Sequence, residues 1–133
     1  MKLKDKVAII AGGTKGIGLG IAVEFAREGA QVVVGGTSPK NGENAVKEIS
    51  AAGGESLFVK CDVSDLADLD NIVSATVEKF GRVDIYVANA GINDSNKTHF
   101  LEISPEQYDR IMAVNLRGMF FGGQKAAQQM VAQ

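Results

Sequence analysis

The sequence is poor in the residues that mark several kinds of protein. It holds no tryptophan, one cysteine, one histidine, two prolines and 6% aromatic residues. With a single thiol, Cys61, no internal disulfide can form, which excludes a disulfide-stapled scaffold and makes a reducing compartment, the cytoplasm by default, the expectation. The one histidine, His99, lies in the polar stretch Ile92 to Phe100 without a serine, cysteine or carboxylate arrangement that would make a relay or a metal site. It is expected to be a solvated loop residue, and no bound metal is expected. Neither charge sign dominates: Lys and Arg number 14, Asp and Glu 16, for a net charge of −2. No basic surface therefore announces nucleic acid or an anionic membrane. No apolar run approaches the roughly 18 residues of a membrane span, and Met1 to Lys6 is too short and too charged to read as a signal peptide. Glycine is what the chain has in abundance, 16 among 133 residues. These fall at element ends and in one cluster, which argues against a low-complexity segment. A chain of this length is expected to form one domain, residues 1–133, around one core, with no room for a separate substrate domain.

The cluster Gly12-Gly13-Thr14-Lys15-Gly16-Ile17-Gly18 follows the apolar run Val7-Ala8-Ile9-Ile10-Ala11 and precedes a helical pattern. A buried strand that turns through glycines into a helix suits a phosphate. No Cβ keeps the backbone from the anion, and the first free helix N–H groups point at it with the positive end of the macrodipole behind them. A tight βα connection is the plainer alternative for a single such turn. The alternation continues along the chain. Lys6 to Ala11 reads as a strand, and Gly16 to Glu28 as a helix with Ile17, Ile21 and Phe25 on one face, closed by Gly29. Val32 to Val34 is a second strand, after which Ser38-Pro39 opens a helix carrying Val46 and Ile49 that ends at Gly53-Gly54. Ser56 to Cys61 is a third, followed by a helix from Asp65 that turns Leu66, Leu69, Ile72, Val73, Val77 and Phe80 inward and stops at Gly81. Val83 to Ala88 is the fourth. Ser104-Pro105-Glu106-Gln107 then has the form of a capping box that opens one long helix through Gln133. Short apolar strands alternating with amphipathic helices predict an α/β fold, a doubly wound parallel sheet with right-handed crossovers.

In such sheets ligands sit beyond the carboxyl ends of the strands. The first strand delivers the glycine cluster there. After the second, dinucleotide logic expects a carboxylate for a free ribose 2′-hydroxyl, or basic and hydroxyl groups for a 2′-phosphate. Gly36, Thr37 and Ser38 offer no acid, and Lys15 can pair with a phosphate, so NADP is favoured over NAD; capping of the next helix by Thr37 and Ser38 is the alternative. After the third strand, Asp62-Val63 offers a carboxylate and a backbone N–H to an adenine edge, or else starts a helix. After the fourth, Asn89-Ala90-Gly91 offers close-approach backbone beneath the glycine turn, or Asn89 stops the strand by bonding its own backbone. Along the last helix Tyr108, Ile111, Met112, Leu116, Met119 and Phe120 form an apolar stripe, and Asn115 falls within it. A carboxamide facing the core must find partners or cost roughly 1–3 kcal/mol, so Asn115 either ties down backbone or organises polar groups at a site. Cys61 reads as a small buried hydrophobe, and Asp65, Asp68 and Asp70 as helix N-terminal charge.

Four of these motifs together resemble the short-chain dehydrogenase/reductase family, including its ketoreductase and sugar or polyol dehydrogenase branches: Gly12-x3-Gly16-Ile17-Gly18, Asp62-Val63, Asn89-Ala90-Gly91, and Asn115 in Val114-Asn115-Leu116-Arg117-Gly118. The resemblance runs from Leu3 to the last residue. It implies a Rossmann-like fold and a nicotinamide cofactor, NADP or NAD. The pyrophosphate would be held by Gly12, Thr14, Gly16, Ile17 and Gly18, with Lys15 and Thr37 near the 2′-position and Asp62 and Val63 at the adenine. Asn89, Ala90 and Gly91 would line the floor, and Asn115 would be the asparagine of the catalytic tetrad. The substrate would be a small carbonyl or alcohol. Ala11 and Ala88 depart from the threonine and the first asparagine usual in the family. The larger departure is that the family's catalytic serine and Tyr-x-x-x-Lys pair are missing; neither Tyr86 nor Tyr108 has a lysine four residues on. A tyrosine with an ordinary pKa near 10 needs an adjacent cation to exchange protons near neutrality. The chain is therefore expected to be the N-terminal portion of such a fold, truncated after the fourth strand and the following long helix, inactive alone and marginally stable because strand four becomes an apolar edge. A non-catalytic adenine-nucleotide-binding or assembly module is the alternative. The last helix resembles the family's subunit-pairing helix, which implies a homo-oligomer.

Overall fold

In the computed structural model, which describes residues 1–133, strands β1 (Val7–Ala11), β2 (Gln31–Gly36), β3 (Ser56–Lys60) and β4 (Ile85–Ala88) form one sheet in the order β3-β2-β1-β4. All pairings are parallel, with Val7 opposite Gln31, Ala8 opposite Ile85 and Val32 opposite Ser56 setting the registers. Every residue of β1 is buried. That continuous burial, in place of an alternating pattern, is what helices on both faces of a parallel sheet produce.

Helices α1 (Gly16–Arg27) and α2 (Pro39–Ala51) cover one face, where Ala22, Ala26, Ala45 and Ile49 pack with Ala8, Ile10, Val32 and Val34. On the other face α3 (Leu66–Phe80) brings Leu69, Ile72 and Val73 against Ile9, Ala11, Val33 and Val59. Phe121 and Met130 of α5 (Met119–Ala132) join that second cluster. The sheet is thus doubly wound, as the alternation predicts.

Local chemistry accounts for the helix starts. Ser38 Oγ accepts from the Asn41 N–H at 3.3 Å, and Asp65 Oδ1 from the Ala67 N–H at 2.9 Å. Ser104 and Gln107 form the expected capping box, each side chain accepting from the other's backbone N–H at 3.1 and 2.9 Å. Gly81 closes α3 in the left-handed region, φ +83°, where a side chain would be strained.

Two sequence expectations about helix faces need correction. On α1 the buried line is Gly18, Ala22 and Ala26, while Ile17 is 79% exposed and Ile21 and Phe25 are half-buried. The helix lies so close to the glycine turn that a Cβ on Gly18 would overlap the Gly12 carbonyl. The last helix is likewise not uniform: α4 (Pro105–Met112) passes through a π-helical turn, Ala113–Gly118, before continuing as α5. Each π turn takes up extra residues, so an α-helical stripe drawn through it loses phase. Tyr108, Leu116, Met119 and Phe120 are exposed, and Gly118, Gly122 and Ala126 make the buried contact. A Cβ on Gly118 would stand 2.6 Å from the Val63 carbonyl oxygen. Asn115 is half-buried and does not face the core.

Candidate functional site

A cleft of about 630 Å³ opens at the carboxyl edge of the sheet. The glycine turn forms one wall; the ends of β2 and β3, the residues after β4 and one face of α4 complete it. Of the residues singled out by sequence, Gly12, Thr14, Lys15, Gly16, Ile17, Thr37, Asp62, Val63, Asn89, Ala90 and Gly91 all line it. Gly18 and Asn115 do not, and each supports the lining from behind.

At the glycine turn the backbone is drawn tight. A Cβ on Gly12 would lie 2.7 Å from the Ala90 Cα, so the turn and the chain leaving β4 approach at a distance only glycine permits. Asn89 locks this contact by donating from Nδ2 to the Gly12 carbonyl at 2.9 Å. It bonds across the sheet to another strand's end and not to its own backbone. Gly16, at φ +55°, has open space where its side chain would be.

The start of α1 differs from those of α2, α3 and α4. Those three carry side-chain caps, whereas α1 has none. Its first intrahelical bond is from the Leu19 N–H to the Lys15 carbonyl, so the N–H groups ahead of Leu19 are free for an anion, with the macrodipole behind them. Ser38 is occupied as the α2 cap, as its plainer reading held; Thr37 is exposed on the cleft wall. Gly36 packs on Thr14 so closely that a Cβ there would stand 2.7 Å from Oγ1.

On the β3 side, Asp62 is exposed and does not cap α3; that role belongs to Asp65. Asp62 Oδ1 accepts from the Ser64 N–H and O–H at 2.9 and 2.7 Å, which orients the carboxylate at the cleft. Asp68 accepts from the Asp62 N–H at 2.9 Å, and Asp70 pairs with Lys125 at 2.6 Å. The acidic cluster is therefore used in helix starts and packing. His99 is exposed and accepts from the Leu101 N–H at 3.2 Å.

Asn115 sits in the π-helical turn. Its Nδ2 donates to the Ile92 carbonyl at 2.7 Å, and its Oδ1 accepts from the Ile92 N–H at 2.8 Å. The carboxamide thus imitates a neighbouring strand and fixes the chain just beyond Gly91. π turns of this kind concentrate at functional positions.

Two titratable groups, Cys61 in the cleft lining and Tyr86 packed on the core beneath α5, are silenced. Burial, reinforced by Asp68, Asp62 and Asp65, pushes the Cys61 thiol up to about 12. Burial, with Cys61 adding to it, likewise pushes the Tyr86 hydroxyl to about 12. Neither exchanges protons near neutrality. The free N–H groups at the start of α1 suit an anion, and the oriented Asp62 carboxylate suits a hydrogen-bond donor. Sequence reasoning missed Asn41, Cys61, Ser64, Ile92, Arg110 and Val114 as lining residues.

Comparison with known proteins agrees with this geometry. A family model described as short chain dehydrogenase matches residues 6–133. An uncharacterized oxidoreductase of Thermotoga maritima is 41% identical over 133 residues, covering 100% of this chain and 51% of the relative. An NADP-dependent (R)-specific alcohol dehydrogenase of Lentilactobacillus kefiri is 43% identical over 131 residues, covering 97% and 50%. The crystal structure of a short-chain type dehydrogenase/reductase from Mycobacterium marinum superposes with a TM-score of 0.94 at 33% identity, covering 99% of this chain and 53% of that one. The chain spans about half the length of the curated relatives it matches.

Proposed function

The chain belongs to the short-chain dehydrogenase family, and on that premise we propose that its cleft binds a nicotinamide dinucleotide, NADP in preference to NAD, in the service of hydride transfer to or from a small carbonyl or alcohol substrate. The observation that carries this reading is the uncapped start of α1 beside Gly16, where free N–H groups meet open space. Gly12, Thr14, Gly16 and Ile17 would hold the pyrophosphate, with Gly18 allowing α1 its close approach. Lys15 and Thr37 would meet a 2′-phosphate, Asp62 and Val63 the adenine, and Asn89, Ala90 and Gly91 the underside of the cofactor.

The cofactor supplies the hydride. Asn115, by pinning Ile92, would keep the floor in place and support a proton relay. These 133 residues contain no Tyr-x-x-x-Lys pair, and Tyr86 is held protonated by burial. Proton transfer then needs groups outside this sequence, and these residues alone are expected to bind cofactor without turnover. A second reading is a nucleotide-binding or assembly module without catalysis. The exposed apolar residues of α4 and α5 would then serve pairing between copies, as they would in a homo-oligomeric enzyme.

Calorimetry with NADPH and NADH, paired with loss of NADPH absorbance on a panel of carbonyl compounds, tests both readings. NADPH binding tighter than NADH, without turnover by this chain, is the expected result; turnover would overthrow the assignment of the missing relay. Thr37→Asp is the informative variant, because a Cβ on Gly36 would meet Thr14. A carboxylate at position 37 is expected to weaken NADPH on the order of tenfold while sparing NADH.

A further inference from the structure

Arg110 lines the cleft but has no task inside the protein. Of the other arginines, Arg27 pairs with Glu24, Arg82 with Asp84, and Arg117 donates to the Ser64 carbonyl at 3.1 Å. The side chain of Arg110 enters none of the ion pairs. It is exposed at the rim, and with Lys15 it is one of the two cationic residues of the lining.

Its place on the helix is specific. Gly118, Val114 and Arg110 follow one another at four-residue intervals, running from buried through half-buried to exposed. Gly118 is seated against Val63, and Val114 packs on the core cluster that contains Val63 and also receives Ala90. The bond from Arg117 to Ser64 fixes this helix against the loop after β3. Arg110 and Val114 line the cleft together with Asp62, Val63 and Ala90, and Arg110, exposed where Val114 is half-buried, stands on the solvent side of the slot between Asp62-Val63 and Ala90. The slot has a polar edge at Asp62, apolar walls at Val63 and Val114, and an unpaired guanidinium at its mouth. That set of surfaces fits a flat heterocycle whose edge is hydrogen-bonded and whose outer face is open.

Resting on the reading that the cleft takes an adenine dinucleotide, we infer that Arg110 stacks its guanidinium over the outer face of the purine and closes the slot. A guanidinium is planar and weakly hydrated, and lies readily on an aromatic face. An ammonium does not offer the same plane, so lysine is a poor substitute.

Titration calorimetry of the 133-residue chain with adenosine, 5′-AMP and 2′,5′-ADP tests the inference. Arg110→Ala is expected to weaken adenosine and 5′-AMP alike by roughly three- to fivefold, with the melting temperature unchanged, and Arg110→Lys to recover less than half of the loss. Lys15→Ala is expected instead to weaken only 2′,5′-ADP relative to 5′-AMP. A loss in Arg110→Ala that appears with the phosphorylated ligands but not with adenosine would overturn stacking in favour of a phosphate contact. Unchanged affinity in Arg110→Ala also overturns the inference while leaving the cofactor reading standing. A wild-type chain that binds none of the three ligands overturns the cofactor reading itself.

Discussion

The β1–β2 side of the sheet and its β4 side are both built from apolar strands, yet they are held in different ways. All of β1 and the four central residues of β2 are buried, whereas none of the four residues of β4 is, and α4 buries none. Apart from Met1 and Ile17, every exposed large apolar residue lies at Phe100 or beyond. What the β4 side has instead is a set of side chains that grip backbone. Asp84 accepts from the Val7 N–H at 2.9 Å, Asn89 donates to Gly12, Asn115 brackets Ile92, and Gln133 brackets Val83 at 3.0 and 2.7 Å. Burial holds the first half in place, and directional hydrogen bonds set the second. Hydrogen bonds define position more sharply than apolar contact does, and the β4 side is where the floor of the cleft must be placed.

The contrast can be broken most directly in the core. Ile9→Ala is expected to cost about 2–5 kcal/mol, since the side chain is fully buried in a close-packed cluster. Leu116→Ala, on the exposed face of the last helix, is expected to stay within about 0.5 kcal/mol. Urea unfolding of both variants decides it, and equal losses would show that the β4 side is held by burial after all. A smaller effect is expected for Asn115→Ala, about 2 kcal/mol, because it leaves the Ile92 N–H and carbonyl unpaired in a half-buried setting. Hydrogen exchange at the Ile92 amide should quicken in step. Protection equal to the wild type would mean that the floor is placed by something other than this carboxamide.

The last test reads the acid limb of stability and concerns Asp84. Burial works to raise its pKa, but the hydrogen bond from Val7, the Arg82 guanidinium and Lys6 outweigh it and hold the carboxyl below its ordinary value. A group depressed in the folded state contributes stability that is full above its unfolded value, about 3.9 for aspartate. That contribution is lost as pH falls through the lower folded value. The urea midpoint should therefore drop on acidification below about pH 4, and Asp84→Asn should drop less. Parallel acid profiles would remove Asp84 from the set of residues that anchor the β4 side.

The strand and helix alternation was legible because Val7 to Ala11, Val32 to Val34 and the α3 residues carry their burial in large apolar side chains. The faces of α1 and of the last helix were not. Both helices pack through small residues, Gly18, Ala22 and Ala26 in one, Gly118, Gly122 and Ala126 in the other. A seam of small side chains draws helix and sheet together but gives hydrophobic periodicity almost nothing to count. Ile17, which periodicity assigned to the interior, lies at the cleft mouth instead. Within the site, the glycine turn, Asp62 and Asn89 to Gly91 were readable from their places after strands. The partner of Asn115 was not, because it is the backbone of Ile92, 23 residues away, and no side-chain pattern records it. The π-helical turn hid for a related reason: its sequence is ordinary helix sequence, and only the fit against Val63 and Ile92 reveals the extra residue.

The two bonds at either end of the β1–β4 pairing, Val7 to Asp84 and Asn89 to Gly12, each join residues 77 apart. β1 is an inner strand of the sheet and the first to leave a ribosome, but its second edge has no partner until β4 has emerged. Closing so long a loop costs entropy before any contact across it is gained. The β3-β2-β1 portion can assemble early around its own core, while β4 docks late, guided by an aspartate at one end and an asparagine at the other. In that sequence of events the glycine turn exists before its floor does, and the cleft becomes a cleft only when β4 pairs with β1.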